Sequence, residues 1–348
     1  MTQAKTAETA KPGQPPPQIL AIQILFAAII GAASGLLHIA NPARSDFSSF
    51  WAAHHVANAY NSVEISAKLG MGHAYFPYPP PFLLITLPLA WTSISQGYFA
   101  WVSISAGAIV VSMRRLIAPI VLLVPIVFLS EINGQTSLII GACLFGAVSL
   151  RRQPILAGVL LGLAVCIKPQ IVVVLPVAFL AAGFWRVLLS AALSALLISS
   201  AATLAYGVGA WSDWLGSLPA WLQVNDAAWA RRYLSLPGAW KIVALVLGAS
   251  ASWWSARRGR FELSAFIAVA AALLGSLHAM DYDLAVLAPF AISAALARRW
   301  WGIPYGAALL APPSAWSVLA LAVMALLDVV VSSKISDMSA PRLAVHRL

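Results

Sequence analysis

Carboxylates are the groups in this sequence best suited to act as bases, and there are only eleven of them among 348 residues. Several stand beside amides or an imidazole: Glu131 lies four residues before Gln135, and His278 precedes Asp281 and Asp283. A carboxylate can take a proton from a hydroxyl group, and Lys, Arg and His can hold an anion. If these residues meet in space, we predict a site for a polar, anionic substrate.

The composition places these few charges in a lipid-like context. The chain is 61% hydrophobic and 9% charged, whereas soluble domains are about 25% charged. This balance excludes an ordinary soluble enzyme, a disordered chain, a collagen-like repeat and a disulfide scaffold. The net charge of +10 comes from short basic pairs between apolar runs, so we expect no nucleic-acid partner. Cys143 and Cys166 lie in apolar runs without metal-ligand spacing and are expected to be buried.

Apolar runs alternate with polar connections along the whole chain. The first is at 19–37, and the others are at 81–92, 95–113, 116–130, 134–150, 154–167, 170–184, 187–207, 237–255, 261–278, 283–297, 302–312 and 314–332. Many are shorter than the roughly 20 residues that cross a bilayer. With the proline-flanked run 81–92 as a re-entrant segment, we predict about 12 crossings, within a range of roughly 10–13.

The sequence therefore predicts an all-α, polytopic transmembrane bundle. Its parts are a disordered cytoplasmic lead at 1–18, a transmembrane domain at 19–332 and a cytoplasmic tail at 333–348. With a cytoplasmic N-terminus, the arginine pairs at 114–115, 151–152, 257–258 and 298–299 all fall inside. Most acids then fall outside: Asp46, Glu64, Glu131, Asp213, Asp226, Asp281 and Asp283.

The first outer loop, residues 40–80, contains a predicted short helix that begins near Asp46. Phe47, Phe50 and Trp51 form an apolar stripe at helical spacing. The segment is too polar to span, so we expect an amphipathic helix lying at the membrane interface. Asp46 could serve chemistry, or it could cap this helix.

The second outer loop, residues 206–237, is rich in tryptophan. Its aromatic residues are Trp211, Trp214, Trp221, Trp229 and Tyr233. Such residues are typical of a membrane-interface belt, and they also stack on sugar rings. Both interpretations remain open at this stage.

An ordered set of motifs resembles glycosyltransferase family 87, the DUF2029 group of polyprenol-phosphate-mannose-dependent mannosyltransferases. In chain order the motifs are Asp46, FSSFWAA at 47–53, Tyr-Pro-Pro at 78–80, Asn-Gly-Gln at 133–135, AGVLLGLA at 157–164, Lys168-Pro169 and LHAMDYD at 277–283. The mycobacterial members carry a His pair where this chain has Asp281-Tyr282-Asp283. This departure leaves the donor sugar and the acceptor open.

The resemblance implies a GT-C fold with an outer-face active site and a polyprenyl-phosphate-sugar donor. It implies Asp46 as general base in an inverting transfer of a hexose, best known as mannose, to an envelope glycolipid or polysaccharide. The expected donor-binding residues are Lys168, His278, Arg231, Arg232, Gln135 and Tyr78. The expected acceptor or pocket residues are His54, His55, Glu131, Asp281 and Asp283. We expect no cofactor and no metal, and the sequence does not indicate an oligomeric state.

Two other classes of protein compete with this interpretation. A polytopic transporter or lipid flippase would need polar groups near mid-membrane and often an inverted repeat. We find no convincing repeat, and Asp328 is the only acid that lies in an apolar run beyond its first two residues. A non-catalytic membrane scaffold would not need acids, Lys and His gathered on one face.

Overall fold

The computed structural model describes residues 45–113, 118–229, 232–297 and 302–339, together with separate positions between 18 and 29. Most of the predicted lead and first apolar span therefore lies outside the described residues. Arg231 and the arginine pairs at 114–115 and 298–299 also lie outside them.

The described residues are helical and contain no strand, which confirms the all-α prediction. The α-helices are α1 Phe47–Ala53, α2 Ser62–Leu69, α3 Pro80–Thr86, α4 Ile94–Met113, α5 Pro125–Ile132, α6 Ser137–Ser149, α7 Pro154–Ile167, α8 Pro169–Val172, α9 Leu175–Ala181, α10 Trp185–Tyr206, α11 Gly209–Trp229, α12 Trp240–Arg257, α13 Phe261–Gly275, α14 Ala288–Ala297, α15 Gly302–Leu310 and α16 Ala315–Ser339. Shorter 3-10 helices cover Leu87–Trp91, Ala118–Leu123 and Asp281–Leu287.

Prolines decide where several of these helices begin. Pro154 opens α7, and Pro125 opens α5 after the preceding 3-10 helix. Proline lacks an N–H but fits the first helical turn, where no partner for that group exists. The predicted re-entrant run at 81–92 becomes α3 followed directly by a 3-10 helix. Among the described helices, α4 and α10 are long and apolar enough to cross a membrane.

Glycines allow α7 and α10 to pack closely side by side. A Cβ atom on Gly158 would clash with Ser190, and one on Gly162 would lie 2.8 Å from the Cβ of Ser194. Small residues four positions apart are typical of tight contacts between apolar helices. Because both contacts advance in the same direction along the chain, α7 and α10 run parallel. The contact fixes the end of α7, where Lys168 follows.

The basic connections meet at one end of the bundle. Arg151, after α6, forms an ion pair of 3.4 Å with Glu262 at the start of α13, and it stacks over the ring of Phe261. The opposite ends of α6, α7 and α13 lie next to residues that line a pocket, among them Gln135, Lys168 and His278. The helices therefore separate an arginine-rich end from the pocket end.

The two long connections differ from their expected structures. The helix α1 forms where predicted, but Phe47 and Phe50 are fully buried against Tyr98, Trp101 and Phe82. The expectation of a helix lying on a membrane interface is therefore wrong, because aromatic partners within the protein cover its apolar side. The second connection is helical over most of its length and forms α11.

Candidate active site

A cavity of about 280 Å³ opens at the pocket end of the bundle. Parts of the chain that are distant in sequence meet there: α1, the turn before α3, the turn before α6, the junction of α7 and α8, α11, and the segment after α13 with the 3-10 helix that follows it. The polar or aromatic lining residues include Asp46, Ser49, Tyr75, Tyr78, Gln135, Lys168, Gln170, Trp214, Trp221, His278 and Tyr282. The cavity brings together Asp46, Tyr78, Gln135, Lys168 and His278, which are distant in sequence.

The packing of the next residue, Phe47, determines where Asp46 lies. The ring of Phe47 lies against Gly97, and a Cβ atom on Gly134 would lie 2.5 Å from the Cβ of Phe47. The backbone N–H of Phe47 also donates to the carbonyl of Asn133 at 3.4 Å. Gly134 has a φ of 61°, a conformation that favours glycine. This packing sets Asp46 beside the turn that carries Gln135.

The carboxylate of Asp46 is available for chemistry. It makes no capping hydrogen bond to the described first turn of α1, where the Ser48 and Ser49 N–H groups bond to backbone carbonyls instead. Asp46 is exposed where it lines the cavity. The cavity walls exclude part of the water around its carboxyl group, and this desolvation raises the pKa to about 6, against the lowering effect of Lys168 and Arg232. A carboxylate at this wall can take a proton from a hydroxyl group bound in the cavity.

Lys168 is a buried cation at the cavity wall. Its Nζ donates to Asp283 Oδ1 at 2.8 Å and lies over the rings of Tyr282 and Tyr78, at 5.4 and 5.9 Å from their centres. Burial alone would lower the pKa of Lys168, but the charge of Asp283 raises it overall. Lysine has three N–H donors, so it can serve Asp283 and still donate to an anion in the cavity.

Asp283 lies behind the cavity wall and accepts a hydrogen bond from Lys168, which lines the cavity. It is fully buried, and its Oδ1 accepts from the Ser137 hydroxyl at 2.7 Å as well as from Lys168. Its Oδ2 accepts from the backbone N–H of Met280 at 3.1 Å. The structure thus places Asp283 outside the cavity lining, where it orients Lys168.

Asp281 occupies a similar supporting position with Arg232. The guanidinium group donates two hydrogen bonds to the carboxylate, at 2.7 and 2.9 Å, a paired geometry typical of strong Arg–carboxylate contacts. The neighbouring bridge between Tyr233 and Met280 holds the two segments together. Neither Asp281 nor Arg232 lines the cavity.

Aromatic rings confine His278 and Tyr78. The imidazole of His278 lies between Trp221 and Tyr233, with ring centres 4.3 and 5.0 Å away. Tyr78 is buried, and its hydroxyl is 3.4 Å from the hydroxyl of Thr136. Burial raises the pKa of Tyr78, so its phenol stays protonated at neutral pH.

Gln135 and Glu131 come from the same short segment but reach different places. Gln135 lines the cavity, whereas Glu131 does not. Glu131 is buried, and no described residue hydrogen-bonds its carboxyl oxygens. Burial raises its pKa to about 8, so the group is mostly neutral at pH 7.

The two histidines of the first outer loop lie away from the cavity. His54 Nε2 is 2.9 Å from the hydroxyl of Thr86, and His55 stacks on Trp51. Burial lowers the pKa of His54 to about 4, which keeps it neutral at physiological pH. Both side chains therefore help to hold the C-terminal end of α1 in place.

Within the described ranges, no three His, Cys, Asp or Glu side chains come together as a metal site. The described polar wall of the cavity instead combines carboxylate, ammonium, amide and imidazole groups.

Sequence reasoning missed the wall that α11 supplies. Trp214, Leu218, Trp221 and Leu222 line the cavity, and the Trp214 indole N–H donates to the carbonyl of Pro77 at 3.1 Å. Their spacing of three, four and seven residues matches one face of a helix. That periodicity was the signal available in the second outer loop.

Comparison with known proteins identifies the family. The model of glycosyltransferase family 87 matches residues 76–287, more than half of the chain. The matched part includes Tyr78, Gln135, Lys168 and His278, whereas Asp46 lies before it. No curated protein and no solved structure matches the chain. The matched segment carries most of the polar residues that line the cavity. Because the match covers more than half of the chain, we conclude that the chain belongs to glycosyltransferase family 87 and is a glycosyltransferase.

Proposed function

We propose that this enzyme transfers a hexose, in the simplest case mannose, from a polyprenyl-phosphate donor to a glycolipid or polysaccharide of the bacterial envelope. Asp46 is the general base. The observation that supports this role most directly is that the carboxylate of Asp46 makes no helix-capping hydrogen bond, is open to the cavity and has a raised pKa.

The reaction we propose is a single displacement. The acceptor oxygen attacks C1 of the sugar while Asp46 takes the hydroxyl proton, and the bond from C1 to the phosphate oxygen breaks. The departing polyprenyl phosphate gains one negative charge, which Lys168 stabilises with its remaining N–H donors. His278 and Tyr78 are donor-binding residues beside it. Attack opposite the leaving phosphate inverts the anomeric centre.

We further propose a multi-pass location in the inner membrane with the cavity on the periplasmic or extracellular face. The apolar helices are compatible with membrane association. Along α10, exposed leucines face away from the protein, including Leu189, Leu193, Leu196 and Leu204. The arginine-rich end lies opposite the cavity, as the positive-inside rule would orient it. A lipid-linked donor suits this setting, since its chain can stay in the bilayer.

Purified protein incubated with polyprenyl-phosphate-mannose and an envelope extract tests the proposal. We expect transfer of mannose to a lipid or polysaccharide fraction. Deletion of the gene, followed by mass spectrometry of envelope glycolipids and polysaccharides, should show the loss of one hexose. Absence of transfer from mannose, glucose and galactose donors, with an unchanged envelope, would contradict the proposal.

A further inference from the structure

The turn that carries Gln135 is unusually well supported. Three consecutive carbonyl oxygens accept hydrogen bonds: Ile132 from the Tyr98 hydroxyl (2.6 Å), Asn133 from the Phe47 N–H (3.4 Å) and Gly134 from the Trp101 indole (2.9 Å). The backbone N–H of Gln135 donates to the carbonyl of Ser130 at 2.9 Å. The backbone of this turn is therefore held in one position from several directions.

The side chain of Gln135 contrasts with this backbone. It is 2% exposed, and neither its Nε2 nor its Oε1 has a hydrogen-bond partner among the described residues. Buried amides without partners are rare, because each lost hydrogen bond to water destabilises the folded state. Since Gln135 lines the cavity, the ligand is the natural source of the missing partners.

The chemistry of an amide limits what that ligand group can be. Its Nε2 only donates and its Oε1 only accepts. An ionised phosphate offers acceptors alone, so it would leave Oε1 without a partner. A hydroxyl group both donates and accepts, and neighbouring hydroxyls of a sugar present both roles side by side.

We propose that Gln135 is a specificity-determining residue that binds two neighbouring hydroxyl groups of the transferred sugar. Its Nε2 donates to one hydroxyl and its Oε1 accepts from the other. This inference rests on the proposed function. It assigns the sugar and the phosphate of the donor to different ends of the cavity. The sugar lies beside Gln135 and Asp46, which the contact between Phe47 and Gly134 brings together, and the phosphate lies beside Lys168.

Substitution of Gln135 by leucine, combined with deoxy-sugar donors, tests this assignment. The donors are polyprenyl-phosphate-mannose and its 2-deoxy, 3-deoxy and 4-deoxy analogues. We expect Gln135→Leu to lower kcat/KM for the intact donor about 10–100-fold, the effect of lost hydrogen bonds in a buried site. For the analogue that lacks a bound hydroxyl, wild type and variant should differ much less.

The fold itself should tolerate this change, because leucine removes an amide that has no partner. We expect the Tm of Gln135→Leu to match or exceed that of wild type. Ser130→Ala is the matched control, since Ser130 is a buried polar residue of the same segment whose hydroxyl has no described partner and which does not line the cavity. It should leave the profile across the deoxy donors unchanged. If the leucine variant does not fold, Gln135→Glu removes the amide donor while keeping the shape.

The possible outcomes are distinct. Identical relative rates with all four donors in wild type and Gln135 variants would overturn the role of Gln135, even if wild type transfers mannose efficiently. Absence of transfer by wild type with every donor would instead contradict the proposed function.

Discussion

At the scale of single residues, the cavity differs from its expected chemistry in how its charges are paired. The sequence supplies Lys168 and Arg232 as cations for a phosphate, but in the structure each is paired with an aspartate. Asp46 is the acid at the cavity without such a partner among the described residues. Its carboxylate is thus open to a group bound in the cavity.

Replacement of Asp46 by asparagine should nearly abolish transfer. The amide keeps the shape but cannot accept the acceptor's proton, so we expect kcat to fall roughly 10²–10⁴-fold. The rate of sugar transfer by purified protein is the measurement. Glu262→Gln, at the arginine-rich end, is the control and should retain activity. Normal turnover by the Asp46 variant would refute its role as base.

The pH dependence of the transfer rate should reflect the pKa of the Asp46 carboxyl group. Asp46 must be ionised to act as a base, and its pKa is raised to about 6 by burial. We expect kcat/KM to be level above that pH and to fall about tenfold per pH unit below it. The profile of rate against pH between about 4.5 and 8 measures this. A rate that stays level down to pH 4.5 would show that a different group limits catalysis.

At the scale of helices, close packing of α7 against α10 decides where Lys168 lies. Gly158 and Gly162 meet the backbone and side chains of α10 with no room for a Cβ atom. The AGVLLGLA motif is therefore a packing surface, and its influence on the site is indirect: it sets the end of α7.

Gly158→Ala should destabilise the protein, whereas Gly107→Ala should not. The added methyl group at 158 would overlap Ser190 and the backbone of α10, an overpacking that typically costs about 1–3 kcal/mol. Gly107, within α4, has no heavy atom within 4 Å of the same position, and alanine there should stabilise the helix by about 0.5–1 kcal/mol. Thermal unfolding in detergent compares the two variants. Equal Tm values would contradict this packing argument.

At the scale of the whole molecule, the basic connections and the polar residues of the cavity lie at opposite ends of the helices. The pairing of Arg151 with Glu262 gathers basic connections at one end, and Asp46, Lys168 and His278 gather at the other. If the bundle spans a membrane, one face is cytoplasmic and the other holds the active site.

Cysteine labelling tests this orientation directly. Val63, on α2, is 74% exposed near the cavity end, and Gln153, before α7, is exposed at the arginine-rich end. With the buried Cys143 and Cys166 replaced by alanine, Val63→Cys should react with an impermeant thiol reagent in intact cells. Gln153→Cys should react only after the membrane is opened. Labelling of both positions in intact cells would refute the proposed topology.

The sequence by itself determined the apolar helices and the family to which the chain belongs. Apolar runs predicted α4, α7 and α10 close to their observed limits, because hydrophobicity is a local property, and Pro154 and Pro169 bound α7. The helix after Asp46 was likewise predictable from the spacing of its aromatic residues.

Only the tertiary structure decided which polar groups face the cavity. The partners Lys168 and Asp283 are 115 residues apart in sequence, and Arg232 and Asp281 are 49 apart. Whether an aspartate binds substrate or orients a lysine depends on how several helices pack, which no local pattern records. The same packing buried the amide of Gln135 without a partner while leaving Asp46 open, so it separated the residues that support the site from those available to the substrate.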